Sequence, residues 1–490
     1  MRSYHTLPLL AATLAATLSG CTVGPNYAGP PKAAPVENTA FVRADAAAVS
    51  TAPPVAEWWK TLGDPALDDL EAKALAGNAD VAAAEARLRQ AAASLGEERA
   101  NRAPKASASA MYAHAHVPGL DLGSSSGNSG DGGGSGDASG SGGGGGSSDL
   151  NLYNLGVNAS WEVDLFGGQR RAIEAARASY EASDASLADV QVSLSAQVAS
   201  TYLNLRDRQQ RIALGEQSIA LQEEALGLTR QRRGAGTATA SEVSQAEGQL
   251  ATTRARLAPL KADRDAYRNA LAVLTGQEPG ALDAALGTSG DIPLPPATVA
   301  VGDPAGLIAH RPDVRQAERT LAADTARIGQ AEAARFPRLS FMGLIGIGGT
   351  KFGDLTNLDD FVGLAAPQLS WSFLDFGRNK AKVTKAEAVR DEAEARYRGA
   401  VLTALQDAED SLARYREGRI QVAELARARD KAAEAETLAA QRFAAGTATR
   451  IALLNARSDR NSAEQNLVSA RAQLTAGYVS IQKSLGLAWK

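Results

Sequence analysis

The chain contains one sequence unit twice, and this duplication constrains its fold more than any other feature. Nine residues of the first copy recur 210 positions later, namely Trp161, Phe166, Gly167, Gln231, Arg232, Gly236, Thr237, Thr239 and Gly276. Further upstream, five residues recur 233 positions later, namely Asp80, Val81, Glu85, Arg102 and Pro104. The 23-residue difference between the offsets falls between Pro104 and Trp161, where only the first copy carries a Gly/Ser-rich run. The repeat predicts a pseudo-symmetric architecture with one lengthened loop.

The N-terminus has the pattern of a secretory signal over residues 1–20. Arg2 precedes an apolar stretch from Leu7 to Leu18, which is too short to span a bilayer. The segment ending at Cys21 resembles the lipobox of bacterial lipoproteins, in which that cysteine becomes the acylated first residue; the alternative is an ordinary signal peptide with an incidental cysteine. Cys21 is the only cysteine, so no intramolecular disulfide is possible. By resemblance to sorted lipoproteins, Thr22 in place of an aspartate favours the outer membrane.

Composition excludes two classes of function. A formal charge of −4 over 490 residues provides no basic surface for nucleic acid. Beyond the signal, the sequence contains no run of 18 apolar residues, so it predicts no transmembrane helix. A chain of this kind that crosses a membrane must do so with β-strands closed into a barrel.

Each copy contains two candidate strands that flank a loop. We expect them near 105–117 and 151–163 in the first copy, and near 338–349 and 361–373 in the second. Alternation of apolar and polar residues from Tyr153 to Val163 is typical of a strand with one lipid face and one wet face, although a soluble sandwich would show it too. Four strands cannot close a barrel, since the smallest have about eight, whereas three copies would supply about 12.

Long helical stretches without proline follow the strands. Gln169–Arg232 and Asn379–Arg442 each run 64 residues, or roughly 95 Å at about 1.5 Å per residue. Glycine is expected to end each long helix and threonine to begin the return helix, with Thr239 and Glu242 forming a capping box. Small residues on several faces favour a closed wall of antiparallel helices, that is, a tube.

Four motifs in order resemble the TolC-type outer-membrane factors, and among them the lipoprotein branch that serves resistance-nodulation-division (RND) pumps. They are Cys21–Tyr27, Trp58–Lys60, Asp64–Asn78 and the segment His310–Glu318, in which His310 takes the place of a usual arginine. The resemblance implies a homotrimer with a 12-stranded outer-membrane β-barrel continued by a periplasmic α-helical barrel. It also implies a periplasmic adaptor and an inner-membrane RND transporter as partners, no enzymatic activity, and no cofactor besides a covalent lipid on Cys21.

The predicted organisation follows from the repeat. After the signal come a lipid-anchored segment at 21–56, a first efflux repeat at 57–280, a linker at 281–302 and a second repeat at 303–490. The Gly/Ser-rich loop at 118–149 is expected at the cell surface as a disordered tether or lid.

The resemblance also assigns roles to the two helix-hairpin tips and to a gate. Adaptor contact is expected at Gly236 and Thr237 in the first tip, and at Gly446 and Thr447 in the second. Many relatives place an aspartate ring after the second tip, where this chain has Asn455. Asp459, one helical turn further along, is the alternative gate residue.

Competing functions remain open at this stage. The same architecture serves as the conduit for type I protein secretion, and a coiled-coil surface lipoprotein without a pore would explain Cys21 and the helices. His114 and His116 share a strand face but lack a third metal ligand nearby, so they are expected to be ordinary strand residues. We expect no metal site and no catalytic residues.

Overall fold

The computed structural model describes residues 22–31, 40–45, 47–118, 147–356, 359 and 361–486. Cys21 and most of the Gly/Ser-rich loop lie outside these residues. The regular elements in chain order are β1 (Val49–Ser50), α1 (Pro65–Gly77), α2 (Ala79–Ala100), β2 (Lys105–Pro118), β3 (Ser147–Val163), α3 (Gly168–Gly234), α4 (Ala240–Leu274), β4 (Val299–Ala300), α5 (Pro304–His310), α6 (Pro312–Ala333), β5 (Arg338–Gly349), β6 (Phe361–Ser370), α7 (Arg378–Ala444) and α8 (Arg450–Leu485). Short 3-10 turns at Trp58–Leu62 and Phe352–Thr356 complete the set in these ranges.

Two compact units divide these elements. The first comprises residues 1–26, 94–175 and 325–387, and the second comprises residues 27–93, 176–324 and 388–490. The first unit contains a four-stranded antiparallel sheet in the order β2-β3-β5-β6. The second contains the main hydrophobic core.

The sheet shows the duplication at the level of individual residue pairs. Lys105 lies opposite Ser160 in the first hairpin, and Arg338 lies opposite Ser370 in the second. Lys105 corresponds to Arg338 through the 233-residue offset, and Ser160 corresponds to Ser370 through the 210-residue offset. The two hairpins therefore have the same register. The two copies meet where β3 pairs with β5, with Trp161 opposite Phe341.

One strand is shorter than expected. β6 ends at Ser370, three residues before the predicted end at Phe373. The reason is its single neighbour: the partner of Ser370 is Arg338, and the preceding Pro337 has no N–H to extend the ladder. β3 continues to Val163 because β5 pairs with it on its second side.

The two long helices are present and nearly match the predicted bounds. α3 and α7 each contain 67 residues, and the return helices α4 and α8 contain 35 and 36. No helix in the described ranges combines the length and apolar character needed to cross a membrane.

An indole, a short helix and two tyrosines organise the core of the second unit. Trp58 lies edge-on to Tyr478, with ring centroids 6.0 Å apart. The Tyr202 hydroxyl donates to Asp64 Oδ2 at 2.6 Å, and Asp64 also accepts from the first backbone N–H groups of α1. Both polar groups therefore have hydrogen-bond partners where they meet the core.

Each repeat closes with a side chain that reaches the end of its return helix. Asn78 Nδ2 donates to the Leu274 carbonyl at 3.0 Å, and Arg311 Nη1 donates to the Ser484 carbonyl at 2.9 Å. The donors Asn78 and Arg311 are related by the 233-residue offset, and the acceptors Leu274 and Ser484 by the 210-residue offset. The C-terminal carbonyl groups of α4 and α8 are therefore capped at equivalent positions, by an amide in the first repeat and by a guanidinium group in the second.

Candidate functional site

The first hairpin tip is a compact turn between α3 and α4. Gly236 has φ +75°, its N–H donates to Arg233 O at 2.9 Å, and the Thr237 N–H donates to Arg232 O at 2.8 Å. This pair of bonds is a Schellman motif, which requires the left-handed conformation that glycine adopts without strain. The Thr237 hydroxyl also donates to Arg232 O. The predicted helix end is confirmed.

The predicted capping box begins the return helix. Thr239 Oγ1 accepts from the Glu242 N–H at 3.2 Å, and Glu242 Oε2 accepts from the Thr239 N–H at 2.6 Å. The bond from the Thr239 N–H, together with a second one from the Thr239 hydroxyl to the same carboxylate oxygen, lowers the pKa of Glu242. The tip is therefore fixed from both sides by short-range contacts.

The second tip has the same turn but not the same cap. Gly446 has φ +72°, and the Thr447 N–H and hydroxyl both donate to Arg442 O. Thr449 Oγ1 accepts from the Ala452 N–H at 3.2 Å. Ala452 stands where the first repeat has Glu242, so no carboxylate accepts from the Thr449 N–H. The second cap therefore has only one of the two hydrogen bonds of a capping box.

An ion pair fastens the base of the second tip to the first hairpin. Arg450 Nε lies 2.7 Å from Glu224 Oε1 on α3, and the guanidinium group lies over the Phe443 ring at 5.7 Å. The pattern of the sequence did not identify this contact, because the partners are 226 positions apart.

The candidate gate residues lie on the exposed side of α8. Asn455 and Asp459 are both exposed, one helical turn apart, whereas Leu453 and Leu454 are buried. The structure thus places the amide and the carboxylate on a common face, as the spacing predicted. Neither is drawn into the core of its own chain.

A different asparagine on α8, not identified from the sequence, joins the two hairpins. Asn461 is buried and donates to Leu214 O and Ser218 Oγ on α3, both at 2.6 Å. A nearby carboxylate, Glu436, accepts from Arg457 at 3.3 Å and from Arg460 at 2.8 Å. No sequence pattern pointed to the Asn461 contacts, because Asn461 stands in a polar stretch of α8, next to Asp459, Arg460 and Ser462.

One face of the sheet is apolar along β3 and is bounded by aromatic residues at both ends. Along β3 this face carries Leu155 and Val157, both exposed. At one end Trp161 stacks on Phe341 with centroids 6.0 Å apart, and at the other Tyr153 contacts Tyr112 and Phe352. An exposed apolar band between aromatic girdles is typical of a lipid-facing surface.

The aromatic anchors repeat with the duplication. Trp161 Nε1 donates to Arg102 O at 2.9 Å, and Trp371 Nε1 donates to Arg335 O at 3.1 Å. All four residues are equivalent in pairs. Each indole therefore ties the end of one strand to the residues just before its hairpin partner.

The residues that follow Cys21 are held at the same end of the sheet. The Val23 N–H donates to Phe166 O at 3.1 Å. Arg171 is buried and donates to the Val23 carbonyl, the Gly24 carbonyl and Asn26 Oδ1. The chain leaving Cys21 is thus clamped where β3 passes into α3, although Cys21 itself is outside the described residues.

Among the described side chains, His114 of β2 takes part in no metal site. His114 Nδ1 lies 2.9 Å from Asn151 Oδ1 on the paired strand, and the His116 side chain is not described. Within the described ranges, no group of three His, Cys, Asp or Glu side chains is arranged to hold a metal ion.

Comparison with known proteins places these features in one family. The outer membrane efflux protein family matches residues 70–277 and 305–487. The pyoverdine export outer membrane protein OpmQ of Pseudomonas aeruginosa is 31% identical over 492 residues, covering 100% of this chain and 98% of the relative. Nodulation protein T of Rhizobium leguminosarum bv. viciae is 28% identical over 493 residues, covering 98% and 93%.

Solved structures agree. The outer-membrane channel OprN superposes with a TM-score of 0.82 at 32% identity, covering 96% of this chain and 100% of that one. The open state of the Neisseria gonorrhoeae outer membrane channel MtrE gives 0.76 at 27%, covering 96% and 99%. The predicted relationship, fold class and role in efflux are confirmed, and the family comprises passive channels rather than enzymes. The chain belongs to the outer membrane efflux protein family and is an outer-membrane component of an efflux system.

Proposed function

We propose that the protein acts as a homotrimeric, lipid-anchored conduit of a tripartite RND pump in the outer membrane of a Gram-negative bacterium. The observation that carries the proposal is the four-stranded sheet, whose apolar face is exposed and whose end strands β2 and β6 each have one neighbour. Unpaired strand edges cannot remain in a bilayer, so further copies must pair with them. Three copies close a 12-stranded barrel, and their helices continue it as a periplasmic tunnel.

The proposed lipid on Cys21 fits the position of the residues that follow it. The clamp formed by Arg171 holds Val23 and Gly24 beside the end of β3 that carries Trp161. Tryptophan at a strand end is typical of the boundary between lipid and water. An acyl chain attached to Cys21, two residues before Val23, would enter the bilayer at the level of the barrel rim, and several chains would hold firmly.

The partners are proposed from the two tips. Gly236, Thr237, Gly446 and Thr447 would contact the helical hairpin of a periplasmic adaptor, which links the conduit to an inner-membrane RND transporter. The transported compounds are proposed to be small organic molecules, in keeping with the relatives named for export of pyoverdine and toluene. Type I protein secretion remains the second candidate, whereas a lipoprotein without a pore has no support from the family.

Deletion of the gene is expected to sensitise cells to several unrelated dyes, detergents and antibiotics, because loss of the outer conduit stops every substrate of its pump. The minimum inhibitory concentrations, with complementation by the full chain, provide the measurement. Sensitivity confined to metal salts would contradict the proposed substrate class. Loss of a secreted protein without altered resistance would instead favour type I secretion.

Replacement of Gly446 with glutamate is expected to abolish efflux and cross-linking to the adaptor, because it adds charge and bulk at the second tip. No atom lies within 4 Å of a Cβ built at Gly446, so the chain itself has room for the side chain. Gly446→Ala is the matched control: it carries the same left-handed strain, about 1–2 kcal/mol, without the charge. Equal loss of efflux in both variants would mean that the backbone conformation, not the contact, is what matters.

Replacement of Asn455 with alanine is expected to raise single-channel conductance in planar bilayers, because a ring of amides would constrict the resting channel. The matched control is Gln245→Ala, an exposed residue at the equivalent position in the first repeat. Unchanged conductance for Asn455→Ala, or the same rise in both variants, would remove Asn455 from the gate. Asp459→Ala then tests the alternative position.

A further inference from the structure

An exposed aromatic side chain lies just beyond the free end of the sheet. Phe376 follows β6, is 93% exposed, and has φ +51°, the one positive value among the described non-glycine residues. A bulky residue in this region is strained and persists only where its surroundings impose it. Here Asp375 imposes it, since its carboxylate accepts from the Gly377 N–H at 3.0 Å and the Asn379 N–H at 2.8 Å.

The equivalent phenylalanine of the first repeat is not left in solvent. Phe166 stacks on Phe336, with centroids 4.6 Å apart and ring planes at 19°. Phe336 belongs to the turn before β5, the strand with which β3 pairs. The contact therefore belongs to the seam between the two copies of the duplicated unit.

The residue equivalent to Phe336 in the first repeat is Ala103, in the turn before β2. The Ala103 N–H donates to Ala100 O at 2.9 Å, and the Phe336 N–H donates to Ala333 O at 3.2 Å, so the two turns have one backbone geometry. Ala103 is exposed, and β2 has a free edge. The position that the Phe336 ring fills at the internal seam thus has only an alanine methyl group at the start of β2, and a ring has room beside it.

We propose that Phe376 packs against Ala103 of a second copy of this chain, at a seam that repeats the internal seam between β3 and β5. The register follows from the pairs Trp161–Phe341 and Val163–Leu339. Carried through the two sequence offsets, Trp371 lies opposite Ala108 of the second copy, and Phe373 lies opposite Ala106 of that copy. This inference rests on the proposed homotrimer and specifies its contact.

Burial supplies the physical reason. The residues from the end of β6 to Phe376 form an exposed apolar row, namely Leu369, Trp371, Phe373, Leu374 and Phe376. A second copy shields part of this row and completes the ladder of β6, which alone stops at Ser370. The contact is head to tail, because β6 of one copy meets β2 of the next, and such contacts form a ring when the rotation between copies closes, as in the proposed homotrimer. Direct insertion of Phe376 into lipid is the competing arrangement, but the half-buried position of Phe166, stacked on Phe336, favours the seam.

Disulfide trapping tests the register, because Cys21 is the only native cysteine. Full-length chains carrying Phe376→Cys with Ala103→Cys are oxidised in isolated outer membranes and resolved on non-reducing gels. Most chains are expected to move into covalent dimers and trimers, whereas each single variant stays monomeric. Leu369→Cys with Ala110→Cys is an in-register pair within the strands and is also expected to link. Leu369→Cys with Ala106→Cys is the control, since a shift of four residues separates the thiols by about 13 Å.

A gain of stability provides an independent test. Ala103→Phe recreates the ring pair of the internal seam, so it is expected to raise the temperature at which the oligomer dissociates in detergent. The gain should disappear when Phe376→Ala is added, because the two side chains then no longer meet. A gain that survives Phe376→Ala would overturn the contact.

The outcomes separate this inference from the homotrimer itself. If Leu369→Cys and Ala110→Cys link while Phe376→Cys and Ala103→Cys do not, the trimer stands and the aromatic contact is wrong. If the thiol of Phe376→Cys in the intact oligomer reacts with a lipid-soluble maleimide, Phe376 faces lipid and the contact is wrong. If the wild-type chain is monomeric in membranes, the proposed conduit fails as well.

Discussion

Replacing Arg311 with alanine is expected to lower the free energy of unfolding by about 3 kcal/mol, because a buried charged donor with several partners is removed. Its guanidinium group donates to the Ser484 carbonyl at 2.9 Å, to Asp313 at 2.6 Å and to Asp407 at 3.3 Å. Removal leaves the last turn of α8 without this partner and opens space beside Gly486, where a Cβ would lie 2.5 Å from Arg311 Cγ. The value is at the low end for a buried ion pair, since Asp313 and Asp407 remain 34% and 50% exposed.

The loss is measured by chemical unfolding of the purified protein in detergent, followed by helical circular dichroism. Asn78→Ala is the matched control, because Asn78 makes the equivalent bond to Leu274 in the first repeat without ion pairs. We expect it to cost about 2 kcal/mol, because Asn78 Oδ1 also accepts from the Asp80 and Val81 N–H groups at the start of α2. Equal losses for the two variants would show that the charges around Arg311 contribute nothing.

Replacing Glu71 with glutamine is expected to remove a pH dependence of stability. Glu71 is fully buried on α1, and no partner within hydrogen-bond distance reaches its carboxyl oxygens among the described residues. Burial raises the pKa of Glu71 to about 9; the nearby Ser195 hydroxyl opposes this shift, and the charge of Asp68 adds to it. The folded chain therefore keeps this carboxyl group protonated at neutral pH, whereas the unfolded chain ionises it above its ordinary pKa of 4.5.

The sign follows from proton linkage. The folded state binds the extra proton between pH 4.5 and about 9, so stability falls as pH rises through this window, by about 1.4 kcal/mol per pH unit. At pH 7 the accumulated loss is about 3 kcal/mol relative to pH 4.5. Glu71→Gln should flatten this slope in unfolding measurements between pH 5 and 8. Asp69→Asn, an exposed change on the same helix, should leave it intact; equal slopes for wild type and Glu71→Gln would mean that Glu71 is ionised in the fold.

Local patterns predicted what local chemistry determines. Alternation predicted β2, β3 and β5 within a few residues, and the Gly-Thr-Ala-Thr segments predicted both tips down to the capping box of Thr239. The end of β6 was missed because it depends on a neighbour's Pro337, not on its own residues. Similarly, nothing in α1 distinguishes Glu71 from a surface glutamate, because its burial is created by side chains far away in the sequence, such as Ser195.

The candidate sites divide in the same way. The turn residues Gly236 and Gly446 were recognisable because a left-handed turn restricts which residue can occupy it. By contrast, the Arg450–Glu224 pair and the Asn461 contacts join helices more than 200 positions apart. A single sequence contains no measure of which distant residues face each other, so such contacts appear only in the folded chain.

The unequal caps of the two tips have a consequence for assembly. In a trimer, six tips would alternate around the periplasmic end, three with the Glu242 carboxylate and three without it. Such a ring would have six similar backbone turns but only threefold symmetry in its side chains. Identical adaptor hairpins arriving at this ring would meet two kinds of docking position, with different charge and different resistance to bending. One kind of position would fill first, and assembly of the pump would proceed in two stages rather than one.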